Sequence, residues 1–139
     1  MINIFFVFLG GCIGTLGRYF FATNYEFLVG TLIANLFGCF LLGLFSVLVR
    51  KRAKHIPLHL RLFLTAGLCG SLTTFSTFCF EVVRLMQNTE YFSAILYLVS
   101  SIITGLIFLV LGIEACRRML KKQIDLKRKK LRKEFIKGE

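Results

Sequence analysis

Four long apolar runs decide what this chain can fold into. One helix crosses the core of a lipid bilayer with about 20 mostly apolar residues. Runs of this length fill nearly the whole chain before its basic C-terminal end, and hydrophobic residues make up 56% of it, against roughly 45–50% in soluble domains. The sequence therefore predicts an all-α membrane protein, with a four-span domain at residues 1–119 and a basic tail at 120–139. We expect the spans to be Ile2–Phe21, Phe27–Val49, Leu62–Met86 and Phe92–Cys116.

The third span contains a stretch that weakens a helix, Gly67–Glu81. It combines Gly67 and Gly70 with five serine and threonine residues. Glycine lowers helix propensity, and the hydroxyl side chains compete for backbone hydrogen bonds. Irregular backbone at membrane depth is tolerated only where protein buries it or where it lines a wet cavity, and helix ends near the bilayer middle can bind ions. We therefore expect a helix break near the middle of this span and an ion site beside it.

Polar residues also interrupt the second and fourth spans. Asn35 lies in the middle of the second span, where an amide is costly unless it is used. Two interpretations stay open for it, an interhelical hydrogen bond and a pore-lining donor. In the fourth span Tyr97, Ser101 and Gly105 follow one another at steps of four residues, beside two further hydroxyl residues. This alignment predicts a polar, wet path along an otherwise apolar helix.

Aromatic and acidic residues follow the weak stretch of the third span. Phe75 and Phe78 are three residues apart, so they share a face if the helix resumes there. In a chain with sixteen phenylalanines, composition alone favours packing for both. Glu81 is interpreted as an interfacial anchor or as the ion-pair partner of Arg84.

Glycine spacing and one cation characterise the first span. Gly10 and Gly14 form a GxxxG pair, which lets another helix approach closely. Arg18 lies in the last turns of the span. Its side chain is expected to reach the membrane interface, and a role in attracting anions is the alternative.

The net charge of +11 is concentrated outside the spans. Five lysines and arginines lie in Arg50–Arg61 and eleven in Arg117–Glu139, whereas only Arg18 and Arg84 lie towards the other side. Loops rich in lysine and arginine stay on the cytoplasmic side of a membrane. We therefore expect a multi-pass protein of the cell membrane, with both termini in the cytoplasm. The expected partners of the charge are membrane lipids, and no nucleic-acid partner is expected.

Three motifs, in order along the chain, resemble those of the CrcB/Fluc family of fluoride channels. They are Gly10-Gly11-Cys12-Ile13-Gly14 with Arg18-Tyr19, the run Gly30–Gly38, and Gly70-Ser71-Leu72-Thr73-Thr74-Phe75-Ser76-Thr77-Phe78 with Glu81. The resemblance implies a passive, fluoride-selective channel that lets the ion leave the cytoplasm. It also implies a dimer of two four-span subunits packed antiparallel, with two pores and a buried structural sodium ion.

The resemblance further implies roles for individual residues. Backbone carbonyls of Gly70 and Thr73 from each subunit would hold the sodium ion. The implied pore and fluoride-binding residues are Asn35, Phe75, Ser76, Thr77, Phe78, Tyr97, Ser101 and, as a weaker candidate, Glu81. Such residues suit a strongly hydrated anion, because amide and hydroxyl groups replace water and an aromatic ring presents a positive edge.

Two features leave alternatives open. The strong cation bias favours a fixed orientation, so the second, inverted subunit is expected to be a paired homologue rather than another copy of this chain. The rival function is a proton-coupled cation exporter of the small multidrug-resistance type, which uses a glutamate in its first span. The first span here has no acidic residue and the chain has no tryptophan. A membrane scaffold is a further alternative, and no catalytic signature suggests an enzyme.

Overall fold

The computed structural model describes residues 1–51 and 56–137, which are almost entirely helical. Its elements are α1 (Ile2–Asn24), α2 (Phe27–Lys51), α3 (Leu58–Leu62), a π-helical segment (Phe63–Cys69), α4 (Gly70–Leu72), α5 (Ser76–Gln87) and α6 (Tyr91–Lys137). Four helical stretches within the described residues are long and apolar enough to cross a membrane, namely Ile2–Asn24, Phe27–Lys51, Leu58–Gln87 and Tyr91–Leu126. The prediction of four spans is therefore confirmed.

The helices continue past the ends predicted from hydrophobicity. α2 includes Arg50 and Lys51 in its last turn, and α6 runs for 47 residues without interruption. Lysine, arginine and leucine are good helix formers in water as well as in lipid, so a helix need not end where the membrane does. Because α6 passes straight through residue 119, no break marks the proposed start of the tail. The division of the chain at that point stays a prediction.

The third span is broken, as the sequence predicts. α4 ends at Leu72, Thr73 has extended backbone at φ −79° and ψ 152°, and the helix resumes at Ser76. The π-helical segment before the break was not expected from the sequence. It packs with α4 against α1, while α2 packs along α6.

Small residues allow the close contact between α1 and the third span. A Cβ atom added at Gly10 would lie 2.5 Å from the carbonyl oxygen of Phe63, and one added at Gly67 would lie 2.7 Å from that of Val7. A Cβ atom at Gly14 would overlap the carbonyl oxygen of Leu68. The backbones therefore touch, which is the close approach that the GxxxG pair predicts.

We expect Gly14→Ala to destabilise the fold, whereas Gly105→Ala should not. At Gly14 the new methyl group meets backbone, which cannot move aside, and overpacking of this kind costs about 1–3 kcal/mol. At Gly105 the nearest atom is Cys39 Sγ at 3.6 Å, an ordinary contact. The thermal stability of the two variants in detergent checks this expectation. Equal stability would show that the contact at Gly14 is looser than described.

α2 and α6 run in the same direction across the membrane. The hydroxyl of Tyr97 lies 3.5 Å from the carbonyl oxygen of Leu28. Further along, a Cβ atom at Gly105 would be 3.6 Å from Cys39 Sγ, and one at Gly112 would lie 3.1 Å from the amide nitrogen of Leu44. The residue numbers rise together along both helices, so both helices end on the same side of the membrane.

Candidate ion site

The carboxamide of Asn35 joins α2 to the break in the third span. Asn35 Nδ2 donates to the carbonyl oxygen of Thr74 at 3.0 Å, and the Thr74 amide donates to Asn35 Oδ1 at 2.7 Å. The side chain thus satisfies both backbone groups of one irregular residue. The interpretation of Asn35 as an interhelical hydrogen-bonding residue is confirmed. A carboxamide carries two N–H groups, so one remains available to a ligand.

The side chain of Thr74 caps the helix that follows. Thr74 Oγ1 accepts a hydrogen bond from the amide of Thr77 at 3.2 Å and donates to Thr77 Oγ1 at 3.1 Å. It also lies 3.3 Å from Ser76 Oγ. A threonine just before a helix is a typical cap, and this signal could have identified Thr74 in the sequence. The predicted set of site residues omits it.

In a continuous helix, two of these backbone amides would donate to the carbonyl oxygens of Gly70 and Thr73. Here they donate to side chains instead. In a continuous helix the amide of residue i+4 donates to the carbonyl of residue i. Here the Thr74 amide donates to Asn35 Oδ1 and the Thr77 amide to Thr74 Oγ1. The carbonyl oxygens of Gly70 and Thr73 therefore lose their usual donors at membrane depth. Oxygen atoms of this kind, freed by unwound backbone, are suitable ligands for a hard cation.

A groove of about 460 Å³ lies against the break, between α2 and α6. Six of the ten predicted site residues line it: Asn35, Gly70, Thr73, Phe75, Phe78 and Ser101. The hydroxyl oxygen of Ser101 is buried and has no hydrogen-bond partner among the described residues. No charged side chain of residues 1–51 and 56–137 lines the groove. The lining residues of the groove thus include one with an unpaired hydroxyl, and none of them in the described parts of the chain carries a full charge.

The two phenylalanines of this groove lie together but differ in exposure. Their ring centroids are 6.1 Å apart, with an angle of 32° between the ring planes. The Phe75 side chain is 78% exposed, whereas Phe78 is 9% exposed and lies 5.3 Å from the ring of Tyr97. Phe78 therefore belongs to the packed interior, and Phe75 stands open at the edge of the groove.

A second cavity, of about 240 Å³, lies between α1 and α2. Thr15, Arg18, Thr31 and Thr77 are among the residues that line it. Thr77 therefore faces a different space from Phe75, although the two are close in sequence. Ser76 is exposed and contacts Thr74 only through the 3.3 Å hydroxyl pair.

Glu81 is buried between two other helices. It is 1% exposed, and its carboxyl oxygens accept hydrogen bonds from Thr31 Oγ1 at 2.6 Å and from the Tyr97 hydroxyl at 2.7 Å. Its interpretation as an interfacial anchor or as the partner of Arg84 is wrong, because the Arg84 guanidinium instead lies 4.5 Å from the ring centre of Phe27. Sequence reasoning missed Thr31 as a partner, although its spacing of four residues from Asn35 was a usable signal.

The predicted polar path along α6 contains fewer unpaired hydroxyl groups than expected. Ser100 donates to the carbonyl of Tyr97 at 3.2 Å, and Thr104 donates to that of Ser100 at 2.6 Å. These hydroxyls are satisfied within their own helix, as serine and threonine often are in mid-helix. Of the hydroxyl residues in this predicted path, Ser101 alone has a hydroxyl left unpaired by the described residues.

We expect Tyr97→Phe to lower the stability of the fold by about 1–3 kcal/mol, because the buried carboxyl group of Glu81 loses one of its two donors. Thr31→Val should have a similar cost, and the double variant should show that the two effects are coupled. Tyr91→Phe, at an exposed position, is the matched control. Thermal stability in detergent measures all four variants. A Tyr97→Phe protein as stable as the control would contradict the described hydrogen bond.

This chain is similar to known proteins over most of its length. The family model described as CrcB-like protein, Camphor Resistance (CrcB) matches residues 5–113. A protein of Staphylococcus saprophyticus named fluoride-specific ion channel FluC 2 is 41% identical over 111 residues, which cover 78% of this chain and 91% of the relative. Proteins named fluoride-specific ion channel FluC occur in Prosthecochloris aestuarii, with 38% identity over 78% of this chain and 88% of the relative, and in Phocaeicola vulgatus, with 37% identity over 81% and 97%.

Proposed function

Because this chain belongs to the CrcB family, we propose that it forms a fluoride-selective channel through which the ion leaves the cytoplasm passively. The family match begins at Phe5 in the first span, covers the second and third spans completely and includes most of the apolar part of the fourth. Relatives with 37–41% identity carry the name of a fluoride-specific channel. The alternative of a multidrug-type exporter has no support from these relatives, and α1 contains no acidic residue.

The observation that carries this proposal is the chemistry of the 460 Å³ groove. Fluoride must exchange its water for other donors, and those donors must not hold it too tightly. The unpaired hydroxyl of Ser101 and the remaining N–H of Asn35 are such donors. The ring edges of Phe75 and Phe78 carry partial positive charge. The N-terminus of α5 also begins at this break, and its dipole favours an anion. Because no lining residue in the described parts of the chain carries a full positive charge, the anion is not held too tightly to leave the groove.

The other predicted pore residues contribute differently in this proposal. The hydroxyls of Ser76 and Thr77 lie next to the hydroxyl of Thr74 that caps α5. They extend the polar surface on the side away from the phenylalanines. Tyr97 and Glu81 form a buried hydrogen-bonded pair that holds α5 against α6. Their proposed role is to fix the position of Phe78, which packs directly on the Tyr97 ring.

A sodium ion fits the backbone around the break. The carbonyl oxygens of Gly70 and Thr73 have lost their helical donors, and hard cations are bound by oxygen atoms of this kind. These two residues would hold the ion, which would supply positive charge to the exposed carbonyls. Unpaired carbonyls would otherwise be costly in an apolar medium. We propose that the ion is structural and is not transported.

A second subunit in the inverted orientation would complete the pore. The groove is open on one side, and Phe75 stands at its edge with 78% of its side chain exposed. An apolar ring in this position is suited to burial against another chain. The strong bias of lysine and arginine to one side favours a paired homologue of opposite orientation over a second copy of this chain.

Flux from liposomes tests the proposed transport. The purified chain, alone and together with a co-expressed inverted homologue, is reconstituted into vesicles loaded with fluoride, and an ion-selective electrode follows its release. Fluoride efflux without a proton gradient, and no efflux of chloride, is the expected result. Exchange of drug cations for protons would support the exporter instead. No flux of either kind in vesicles that contain both subunits would contradict the channel.

Orientation is tested separately. The charge bias places both termini on the cytoplasmic side in this proposal. A reporter fused to the C-terminus, active only in the cytoplasm, should be active in nearly all molecules. An equal distribution between the two sides would contradict both the fixed orientation and the need for a paired homologue.

A further inference from the structure

The basic end of α6 lies outside the part of the chain that the family shares. The family match ends at residue 113, and the helix continues to Lys137. Its first cations, Arg117, Arg118, Lys121 and Lys122, follow the last buried residue of the span, Cys116. All four side chains are exposed. The proposed transport function uses none of them.

These four cations occupy one half of the helix surface. At 100° per residue, positions 117, 118, 121 and 122 fall within about 140° of each other. Arg118, Lys121 and Lys122, together with Lys129, line a shallow groove of about 400 Å³ along the helix. The groove also contains Asp125, and Arg118 pairs with Glu114 at 3.1 Å. Positive charge therefore dominates this face even when both acids are included.

The parallel packing of α2 and α6 brings two more cations to the same height. A Cβ atom at Gly43 would lie 3.1 Å from the amide nitrogen of Ile113, so residues about 70 apart in sequence share a level. Arg50 and Lys51, in the last turn of α2, are therefore level with the turn of α6 that contains Arg118. Both side chains are exposed. Six cations thus lie at about the same level, at one end of the two spans.

The length of this cluster along α6 matches the thickness of one headgroup layer. From Arg117 to Lys122 the helix rises about 7–8 Å, and the polar layer on each side of a bilayer is about 5–8 Å thick. Cations within this layer are not screened from a negatively charged surface, whereas those more than about 10 Å away largely are. Along α6, positions from residue 129 onwards lie more than about 10 Å beyond Lys122.

We propose that Arg50, Lys51 and the first two turns of α6 after Cys116 form a binding site for the headgroups of anionic phospholipids. The site begins directly after the buried Cys116, is rich in lysine and arginine, and lies on two helices that pack together. A lipid occupant is favoured over a nucleic acid for this cluster, because its six cations lie at the ends of two membrane-spanning helices. Charge complementarity with an anionic leaflet carries the assignment. This inference does not depend on which ion the protein transports.

Native mass spectrometry of the full-length protein in detergent tests the site. Phosphatidylglycerol and phosphatidylcholine are titrated separately, and retained lipid is counted. We expect a preference for phosphatidylglycerol that weakens by at least about tenfold in the variant R117Q/R118Q/K121Q/K122Q, since each nearby cation contributes to binding. Glutamine keeps good helix propensity, and size-exclusion chromatography verifies that the variant still assembles.

The matched control removes the same charge farther along the helix, in the variant K130Q/R132Q/K133Q/K137Q. This variant should retain its preference for phosphatidylglycerol within about twofold, because these positions begin about 12 Å beyond Lys122 along α6, where a charged surface is largely screened. An equal loss in both variants, or no preference for the anionic lipid in the unaltered protein, would overturn the proposal. So would a short DNA duplex that displaces phosphatidylglycerol from the unaltered protein, because the cluster would then be a nucleic-acid site.

Discussion

Replacing Asn35 by leucine is expected to lower the stability of the folded chain by about 2–6 kcal/mol. Leucine has nearly the same size but can neither donate to the Thr74 carbonyl nor accept from its amide. Each buried backbone group left without a partner costs about 1–3 kcal/mol, and here two are lost together at membrane depth. The thermal stability of the purified protein in detergent measures the total. Hydrogen exchange at the Thr74 amide should also become faster.

Ser46→Ala is the matched control on the same helix. The Ser46 hydroxyl donates to the carbonyl of Gly43 within α2, so its removal leaves no group of another helix unpaired. Its effect should stay within about 0.5 kcal/mol, as for most substitutions away from such features. If Asn35→Leu is no more harmful than this control, the carboxamide does not hold the break. The freed carbonyl of Gly70 would then need another explanation.

Phe75→Ile is expected to lower fluoride flux by about two- to tenfold while leaving stability unchanged. An aliphatic side chain has no positive edge, and aromatic interactions contribute about 0.5–1.5 kcal/mol, which corresponds to roughly a two- to tenfold change in rate. The Phe75 ring is mostly exposed, so its loss removes little packing within this chain. The liposome flux assay measures the first effect and thermal stability the second.

Phe78→Ile is expected to lower both flux and stability. Phe78 is buried and packs against Tyr97, so the smaller side chain leaves space in the interior. Phe80→Ile serves as the control for both variants, since Phe80 is exposed on the same helix and contacts the Phe27 ring instead of the groove. Normal flux in both Phe75→Ile and Phe78→Ile would exclude the rings from the transport mechanism.

Comparing these variants separates folding from transport. Asn35→Leu acts on the backbone of the break, so stability should fall first and flux with it. Phe75→Ile should change flux alone. If Asn35→Leu lowered flux without lowering stability, its carboxamide would act mainly on the ion through its second N–H group. That result would favour the pore-lining interpretation, which the interhelical hydrogen bonds leave open.

Several features of the fold could be predicted from the sequence because they depend on local properties. The number of spans follows from the length of apolar runs, which a bilayer selects directly. The break in the third span follows from glycine and hydroxyl residues that weaken a helix where they occur. The contact at Gly10 and Gly14 follows from the absence of side chains in a GxxxG pair.

Other features depend on residues that are far apart in the chain. The π-helical segment lies where the third span contacts α1, and no local propensity indicates it. The continuous course of α6 beyond the membrane could not be fixed from hydrophobicity, because charged helix formers permit but do not require it. The cap formed by Thr74 is different, because it is local and could be predicted from the position of this residue just before α5.

The sequence by itself determined the membrane architecture, the position of the broken helix and the family. Only the tertiary structure decided how the polar groups pair, because each pair depends on the rotation and height of separate helices. Asn35 reaches Thr74 across 39 residues of sequence, and Glu81 lies between Thr31 and Tyr97, which are 50 and 16 residues away. Because Arg84 is close to Glu81 in sequence, it was expected to be the partner of this residue, and that expectation is wrong. Packing at the glycine contacts sets the helix heights, and these heights determine which hydroxyl meets which carboxyl group.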